Sequence, residues 1–248
     1  IGMMAFWGCG SLASLTIGNN VTTIGGAAFG GCTSLTSVTI PDSVTSIGNM
    51  AFAWCVNLTS VTIPDSVTSI GDQAFEACSS LQKFNGKFAS EDGRCLIVEG
   101  VLKSFAPAGI TGYTIPDSVT TIRNSAFENC DSLTSVAIPG SVTTIGDEAF
   151  YNCSSLTSVT IPDNVTTIGD FAFLCCSSLT SVKISAGVAT IGRQAFEACS
   201  SLNEFIVDEN EGITNPIGMQ CKKLGFKGIM ITVPKKNATI YKRKYQPK

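Results

Sequence analysis

The side chains that could do chemistry in this sequence are eleven cysteines and a regularly spaced set of aspartates, with no histidine anywhere in its 248 residues. Without an imidazole, Ser-His-Asp and Cys-His mechanisms and nearly all His-containing metal sites are excluded. Spacing decides what the thiols can do. Eight of them, Cys9, Cys32, Cys55, Cys78, Cys130, Cys153, Cys176 and Cys199, recur every 23 residues across a single gap. Metal sites gather two ligands within a few residues, which such a period does not supply. Stacked one per rung at about 4.7–4.9 Å, the same cysteines lie further apart than the roughly 3.5–4.5 Å between Cβ atoms that a disulfide prefers. A buried thiol column follows, with Cys acting as a small apolar residue. Cys95, Cys175 and Cys221 fall outside the column and are the ones open to exposure and reactivity. Asp42, Asp65, Asp117 and Asp163 each follow a proline, one per repeat, on a regular edge rather than across a cleft. Asp after Pro is ordinary turn chemistry. No catalytic residue, metal ion or cofactor is expected.

The elements that carry these residues are set by the repeat. Ala-Phe recurs with Phe at 6, 29, 52 and 75, and again at 127, 150, 173 and 196. One copy, Ala28 to Met50, reads AFGGCTSLTSVTIPDSVTSIGNM. In it Leu35, Val38 and Ile40 are apolar while Ser37 and Thr39 alternate with the last two, the pattern of a half-buried strand. Pro41 cannot donate to a ladder, so the strand stops there and turns. Val44 and Ile47 form a second short inward pair, Gly48 is another turn signal, and the next Ala-Phe is expected on a single helical or 3₁₀ turn with Phe in the core. One unit cannot bury both of its faces, whereas stacked copies bury a continuous column. With 44% apolar and 14% charged residues the chain has material for that core. No apolar run approaches the ~18 residues needed to span a bilayer, so membrane insertion is not expected.

The run Cys-x-x-Leu-x-x-Val-x-Ile-Pro-x-x-Val-x-x-Ile-Gly-x-x-Ala-Phe resembles the 23-residue leucine-rich repeat of the Treponema pallidum type, found in BspA-like surface proteins. The resemblance covers nearly the whole chain. It implies an α/β leucine-rich-repeat solenoid: a right-handed horseshoe with a parallel β-sheet on the concave face, and short helical or 3₁₀ turns and short second strands on the convex side. It also implies an extracellular or bacterial cell-surface location and, for some relatives, adhesion to host matrix or plasma proteins or to other microbes. The family has no shared catalytic residues to carry over.

The chain reads as one repeat domain over 1–248, with regular repeats at 1–84 and 113–207, an irregular insert at 85–112 and a degenerate C-terminal cap at 208–248. In the insert, Arg94 to Val98 and Val101 to Phe105 are joined by Glu99-Gly100, a hairpin signal. A small hairpin projecting from the solenoid is expected, with Arg94, Glu99 and Lys103 as candidate contacts. In the cap, Cys221-x-x-Leu224 and Ile231-Thr232-Val233-Pro234 echo the unit. At the other end Ile1-Gly2 sits in the phase of Ile47-Gly48, the pattern of a chain that starts inside a unit of a longer protein.

Charge is uneven although the net value is only −3. Residues 1–82 contain no Lys or Arg, while Lys222, Lys223, Lys227, Lys235, Lys236, Lys242, Arg243, Lys244 and Lys248 give a basic end. A solvated cap is the expected role; no aromatic stripe accompanies these residues, so no nucleic-acid partner is expected. If Val38 and Ile40 point inward, the concave face displays Ser37, Thr39, Ser60, Thr62, Lys83, Asn85, Thr114, Ser135, Ser158, Thr160 and Lys183. Such a surface offers many weak hydrogen bonds and no Trp, Tyr or Arg anchor. Trp7, Trp54 and Tyr151 fall on the opposite side, where partly buried packing is expected. The expected role is a non-catalytic, monomeric module that binds a protein or glycan at a bacterial surface. A passive spacer within a larger surface protein is the alternative.

Overall fold

The computed structural model describes residues 1–185, 187–209, 229–234 and 241–243. The chain divides into two compact units, Ile1–Gly109 with Arg123–Cys130, and Ile110–Ile122 with Asp131–Lys248. In the first, β1 (Thr23–Ile24), β2 (Ser37–Thr39), β3 (Ser46–Ile47), β4 (Ser60–Ile63), β5 (Ser69–Ile70) and β6 (Lys83–Gly86) are followed by β7 (Cys95–Val98) and β8 (Val101–Phe105). The strands β2, β4 and β6 pair in parallel, with Val38, Val61 and Phe84 in register, and β1, β3 and β5 form a second parallel ladder. In the second unit, β9 (Gly112–Thr114), β10 (Thr121–Ile122), β11 (Ser135–Ala137), β12 (Thr144–Ile145), β13 (Ser158–Ile161), β14 (Thr167–Ile168), β15 (Ser181–Ile184) and β16 (Thr190–Ile191) repeat that alternation. Strands β17 (Glu204–Glu209) and β18 (Ile229–Pro234) extend the β9–β11–β13–β15 ladder in parallel, and β19 (Tyr241–Arg243) closes it in the antiparallel sense. The echo at Ile231–Pro234 is therefore a strand, in a register that sets Thr232 opposite Val207. Cys221 and Leu224 lie outside the described residues, as do the basic residues of that end, save for the strand backbone of Lys242 and Arg243.

Each rung is a parallel β-solenoid turn because the repeat alternates as a strand needs. Val38, Ile40, Val44 and Ile47 are at most 5% exposed, while Ser37 and Thr39 face solvent. Fully burying a side chain of this size contributes about 1.5–3 kcal/mol, and stacking lets one rung bury the next. The phenylalanines form the predicted columns. In the first unit Phe6, Phe29, Phe52 and Phe75 stack with ring centroids 5.2, 5.3 and 5.4 Å apart. In the second, Phe150, Phe173 and Phe196 do so at 5.0 and 5.1 Å. Threonines at the strand entries pin rung to rung, as where Thr45 Oγ1 donates to Thr22 O at 3.2 Å and Thr157 Oγ1 to Thr134 O at 3.0 Å.

The turn that carries Ala-Phe differs from expectation: among the described residues there is no helix. The N–H groups of Ala28, Gly30 and Cys32 bond three residues back, to Gly25, Ala27 and Phe29, at 3.1–3.2 Å. The alternate N–H groups, of Ala27, Phe29 and Gly31, leave the segment and reach Asn49, Ala51 and Ala53 of the next rung, each at 2.8 Å. A helix would direct all of these donors inside the segment. Three overlapping β-turns result, and the positive φ of Ala27 (52°) and Gly31 (72°) at the third residue of the first and last of them is the type II signature. The inter-rung bonds compensate the left-handed strain at the non-glycine positions.

The insert also departs from expectation. Glu99 and Gly100 both have positive φ, 51° and 76°, as a type I′ hairpin turn requires, and β7 pairs antiparallel with β8. The hairpin does not project clear of the unit. Leu96, Leu102 and Ala106 are fully buried, and the Phe105 ring lies 4.7 Å from that of Phe127. The apolar alternation of its strands is wide enough to supply core, and only its tip, at Glu99, is exposed.

An ion cluster fastens this insert. In the regular rungs the residue after the turn glycine caps its successor, as Asn49 Oδ1 does by accepting the N–H of Asp72 at 2.9 Å. Asp72 instead takes Lys103 Nζ at 2.9 Å on one oxygen and Arg123 Nη2 at 2.6 Å on the other. The Arg123 guanidinium holds the Asp72 carboxyl below its ordinary range; partial burial opposes this and Lys103 reinforces it. A carboxyl lowered on folding contributes stability that is complete above its unfolded value of about 3.9 and is lost as pH falls through the lower folded value. Asp72→Asn should therefore lower stability by about 1 kcal/mol at pH 7, a figure already reduced for solvent screening. Urea melts at pH 7 and in steps below pH 4 should show the gap to wild type closing; a gap unchanged in acid would refute the role.

Candidate functional site

The residues expected on the binding face fall into two groups, one per unit. In the first, the strand register aligns Ser37, Ser60 and Lys83 in one column and Thr39, Thr62 and Asn85 in the next, at the spacing of about 4.8 Å that separates paired strands. Ser37, Thr39, Thr62 and Lys83 are exposed; Ser60 and Asn85 are half-buried. In the second, Ser135 pairs with Ser158, Ser158 with Ser181, and Thr160 with Lys183, while Thr114 faces Ala137. Thr114, Ser135, Ser158, Thr160 and Lys183 are all exposed. Each unit thus carries neutral hydroxyl rungs that end at a lysine.

The insert's candidate residues are not gathered for a ligand. Arg94 Nη1 donates to the carbonyl oxygens of Ala106 at 3.2 Å and Ala108 at 2.9 Å, and Lys103 is held by Asp72. Their charges are committed to the fold, and Glu99 alone of the three stands at an exposed tip. Sequence reasoning could not see this, because the partners of Arg94 and Lys103 lie 12 to 31 residues away in an irregular segment.

The cysteines form the column, with a role beyond packing. The thiol of Cys55 donates to Phe29 O at 3.3 Å and that of Cys78 to Phe52 O at 3.3 Å; in the second unit Cys199 donates to Phe173 O at 3.1 Å. That same Phe carbonyl already accepts the N–H of its own rung's Cys, so the thiol fills its second lone pair. Burial, with help from the Cys32 thiol, pushes Cys55 up to about 12, which disfavours the thiolate that nucleophilic chemistry needs. No disulfide joins the described cysteines; Cys95 is buried, Cys175 half-buried and Cys9 exposed. Asp42, Asp65, Asp117 and Asp163 are exposed, one per rung, and no three His, Cys, Asp or Glu side chains among the described residues are arranged to hold a metal ion. On the turn side, Trp7 is 40% exposed and meets Trp54 edge-on at 5.6 Å, while Trp54 and Tyr151 are half-buried.

One feature lies outside the repeat pattern. A cleft of about 570 Å³ opens beside the turn Gly18–Asn19, between residues 15–19 and 39–43. Its signal was in the sequence: Gly18 stands where the following rung has Pro41.

The sequence profile of the BspA type leucine rich repeat region matches residues 1–90 and 102–225 in 6 copies. The chain belongs to the BspA-type leucine-rich-repeat family. This BspA-type chain is similar in structure to a leucine rich cell surface protein of Faecalibacterium prausnitzii, with a TM-score of 0.68 and 28% identity over 86% of this chain and 64% of that one. It is also similar to a leucine-rich repeat protein of Eubacterium ventriosum, with a TM-score of 0.57 and 26% identity over 86% and 70% of the two chains. The BspA-type chain therefore spans somewhat less than two thirds of the Faecalibacterium protein. A search of curated protein sequences returns no match. The profile passes over residues 91–101, where the insert holds its Asp92 turn and the first strand and turn of its hairpin.

Proposed function

We propose that this chain is a non-catalytic recognition module, displayed outside a bacterial cell or on its surface, that binds a protein or glycan as a monomer through the hydroxyl columns of its two units. The observation that carries this reading is the strand register, which aligns mostly Ser and Thr side chains, the majority of them exposed, from rung to rung. Repetition multiplies weak hydrogen bonds along an extended ligand, so affinity comes from avidity rather than from one anchor. The surface location is supported by the description of the Faecalibacterium protein as a cell surface protein.

The test is binding of the chain to an array of matrix proteins, plasma proteins and glycans, beside two variants that place charge in the columns, Ser37→Lys with Ser60→Lys and Ser158→Lys with Ser181→Lys. These positions point away from the core, so the variants should fold. Saturable binding that falls at least tenfold in one of them is the expected result. Failure of the unmodified chain to bind at any concentration would favour the passive spacer. Deleting residues 85–112 would be uninformative, because that segment supplies buried side chains to its unit.

A further inference from the structure

The first turn of the first unit departs from the repeat, and a cleft lies beside it. Gly18-Asn19-Asn20 replaces the Pro-Asp-Ser of Pro41 to Ser43 and of Pro64 to Ser66. The pyrrolidine ring is missing there, and a Cβ placed on Gly18 meets no atom within 4 Å. The adjoining cleft, about 570 Å³, is within the range of small-molecule sites. Its floor is apolar, from Ile17 and the Pro41 ring, and its rim carries Thr16, Asn19, Thr39 and Asp42, all exposed. Thr16 and Thr39 bridge as neighbouring strand residues, so the cleft runs into the Thr39–Thr62 column.

We infer that this cleft binds one or two rings of a neutral saccharide. A carboxylate that only accepts, an amide that donates and accepts, and two hydroxyls that do both are the set that ring hydroxyls need, while the apolar floor suits the C–H face of the ring. An anionic ligand is opposed by Asp42, and no Lys or Arg occurs in residues 1–82 to receive it. An amine would pair with Asp42 and donate to the amide and hydroxyl oxygens, but it offers no acceptor to the Asn19 amide N–H groups or to the Thr16 and Thr39 hydroxyl hydrogens. The inference rests on the reading of the chain as a recognition module, and names the ligand class for the end of its first hydroxyl column.

The experiment titrates the full ¹⁵N-labelled chain with the methyl glycosides and disaccharides of glucose, galactose, mannose and N-acetylglucosamine. Spermidine and sialic acid serve as the cationic and anionic probes. The expected result is saturable shifts of the Asn19 and Thr39 amides with at least one neutral sugar. Affinity should fall tenfold or more in Gly18→Pro, which restores the residue used by other turns, and in Asp42→Asn at an exposed position. Shifts with spermidine or sialic acid instead, no shift with any neutral sugar, or sugar binding untouched by Gly18→Pro would overturn it. Array binding that survives Gly18→Pro but is lost in Ser37→Lys with Ser60→Lys would sink the cleft alone and leave the hydroxyl columns standing.

Discussion

Replacing Phe52 by alanine is expected to cost the first unit about 3–5 kcal/mol, the range for removing a fully buried aromatic side chain. Phe52 is completely buried, and its ring lies 5.3 Å from Phe29 and 5.4 Å from Phe75. Its loss opens a cavity in the middle of the column and removes two stacked pairs, each worth about 0.5–1.5 kcal/mol within that total. The backbone around it cannot collapse into the gap, because the N–H of Phe52 is bonded to Ala74 O and that of Phe29 to Ala51 O, which fixes the rung spacing. Phe6 provides the internal comparison: it stacks on Phe29 alone and is 41% exposed. Phe6→Ala should cost less than half as much, and Phe52→Leu, which retains most of the volume, about 1–1.5 kcal/mol. Guanidinium unfolding of the three variants measures this. Equal costs for Phe6→Ala and Phe52→Ala, or a cost below about 1 kcal/mol at Phe52, would show that the column is not what holds the rungs together.

Much of this arrangement was legible in the sequence, and what was not has identifiable physical causes. A 23-residue period with Phe, Leu, Val and Ile in fixed phase leaves one way to bury them, and Phe29, Phe52 and Phe75 lie where that phase put them. The Glu99-Gly100 hairpin was legible because a two-residue turn between apolar runs is a local signal. The shape of the Ala-Phe turn was not, since residues as unlike as Met50, Gln73, Glu148 and Phe171 adopt positive φ at one repeat position. No local propensity encodes that; hydrogen bonds to the next rung impose it. The thiol donors were hidden for a similar reason, as their acceptors lie 26 residues earlier on a carbonyl that spacing alone does not point to. Arg94 and Lys103 stand in the one segment that breaks the repeat, which makes them candidate contacts in sequence. In the fold they hold carbonyls and Asp72, and the cleft at Gly18 emerges only when the repeat is compared with its own exception.

Gly86→Ala should be comparably damaging, at about 3–5 kcal/mol, though it adds one methyl group and removes nothing. Gly86 ends β6 opposite Ile63, where the regular strand would place an inward Ile, and there the chain turns into the insert. Its φ is +97°, a region closed to side chains, and a Cβ built on it falls 2.0 Å from Ile63 O. The overlapping atom is backbone, already tied into the β4–β6 ladder, so it cannot rotate away. Either β6 shifts or the insert's entry does, and the second is the weaker restraint. Phe84 N–H bonds to Gly93 O at 2.7 Å and Ala106 N–H to Arg94 O at 2.8 Å, so displacement of that entry should speed hydrogen exchange at Phe84 and Ala106 before it touches Val61. Gly18→Ala is the control, because open space surrounds that position and its φ is ordinary; it should be neutral or stabilise by up to about 1 kcal/mol through the unfolded chain. Exchange that rises uniformly through the first unit would place the damage in the β4–β6 ladder rather than at the entry to the insert. A Gly86→Ala protein within 1 kcal/mol of wild type would mean that the positive φ is not required, and with it the account of how the insert leaves the regular rungs would fall.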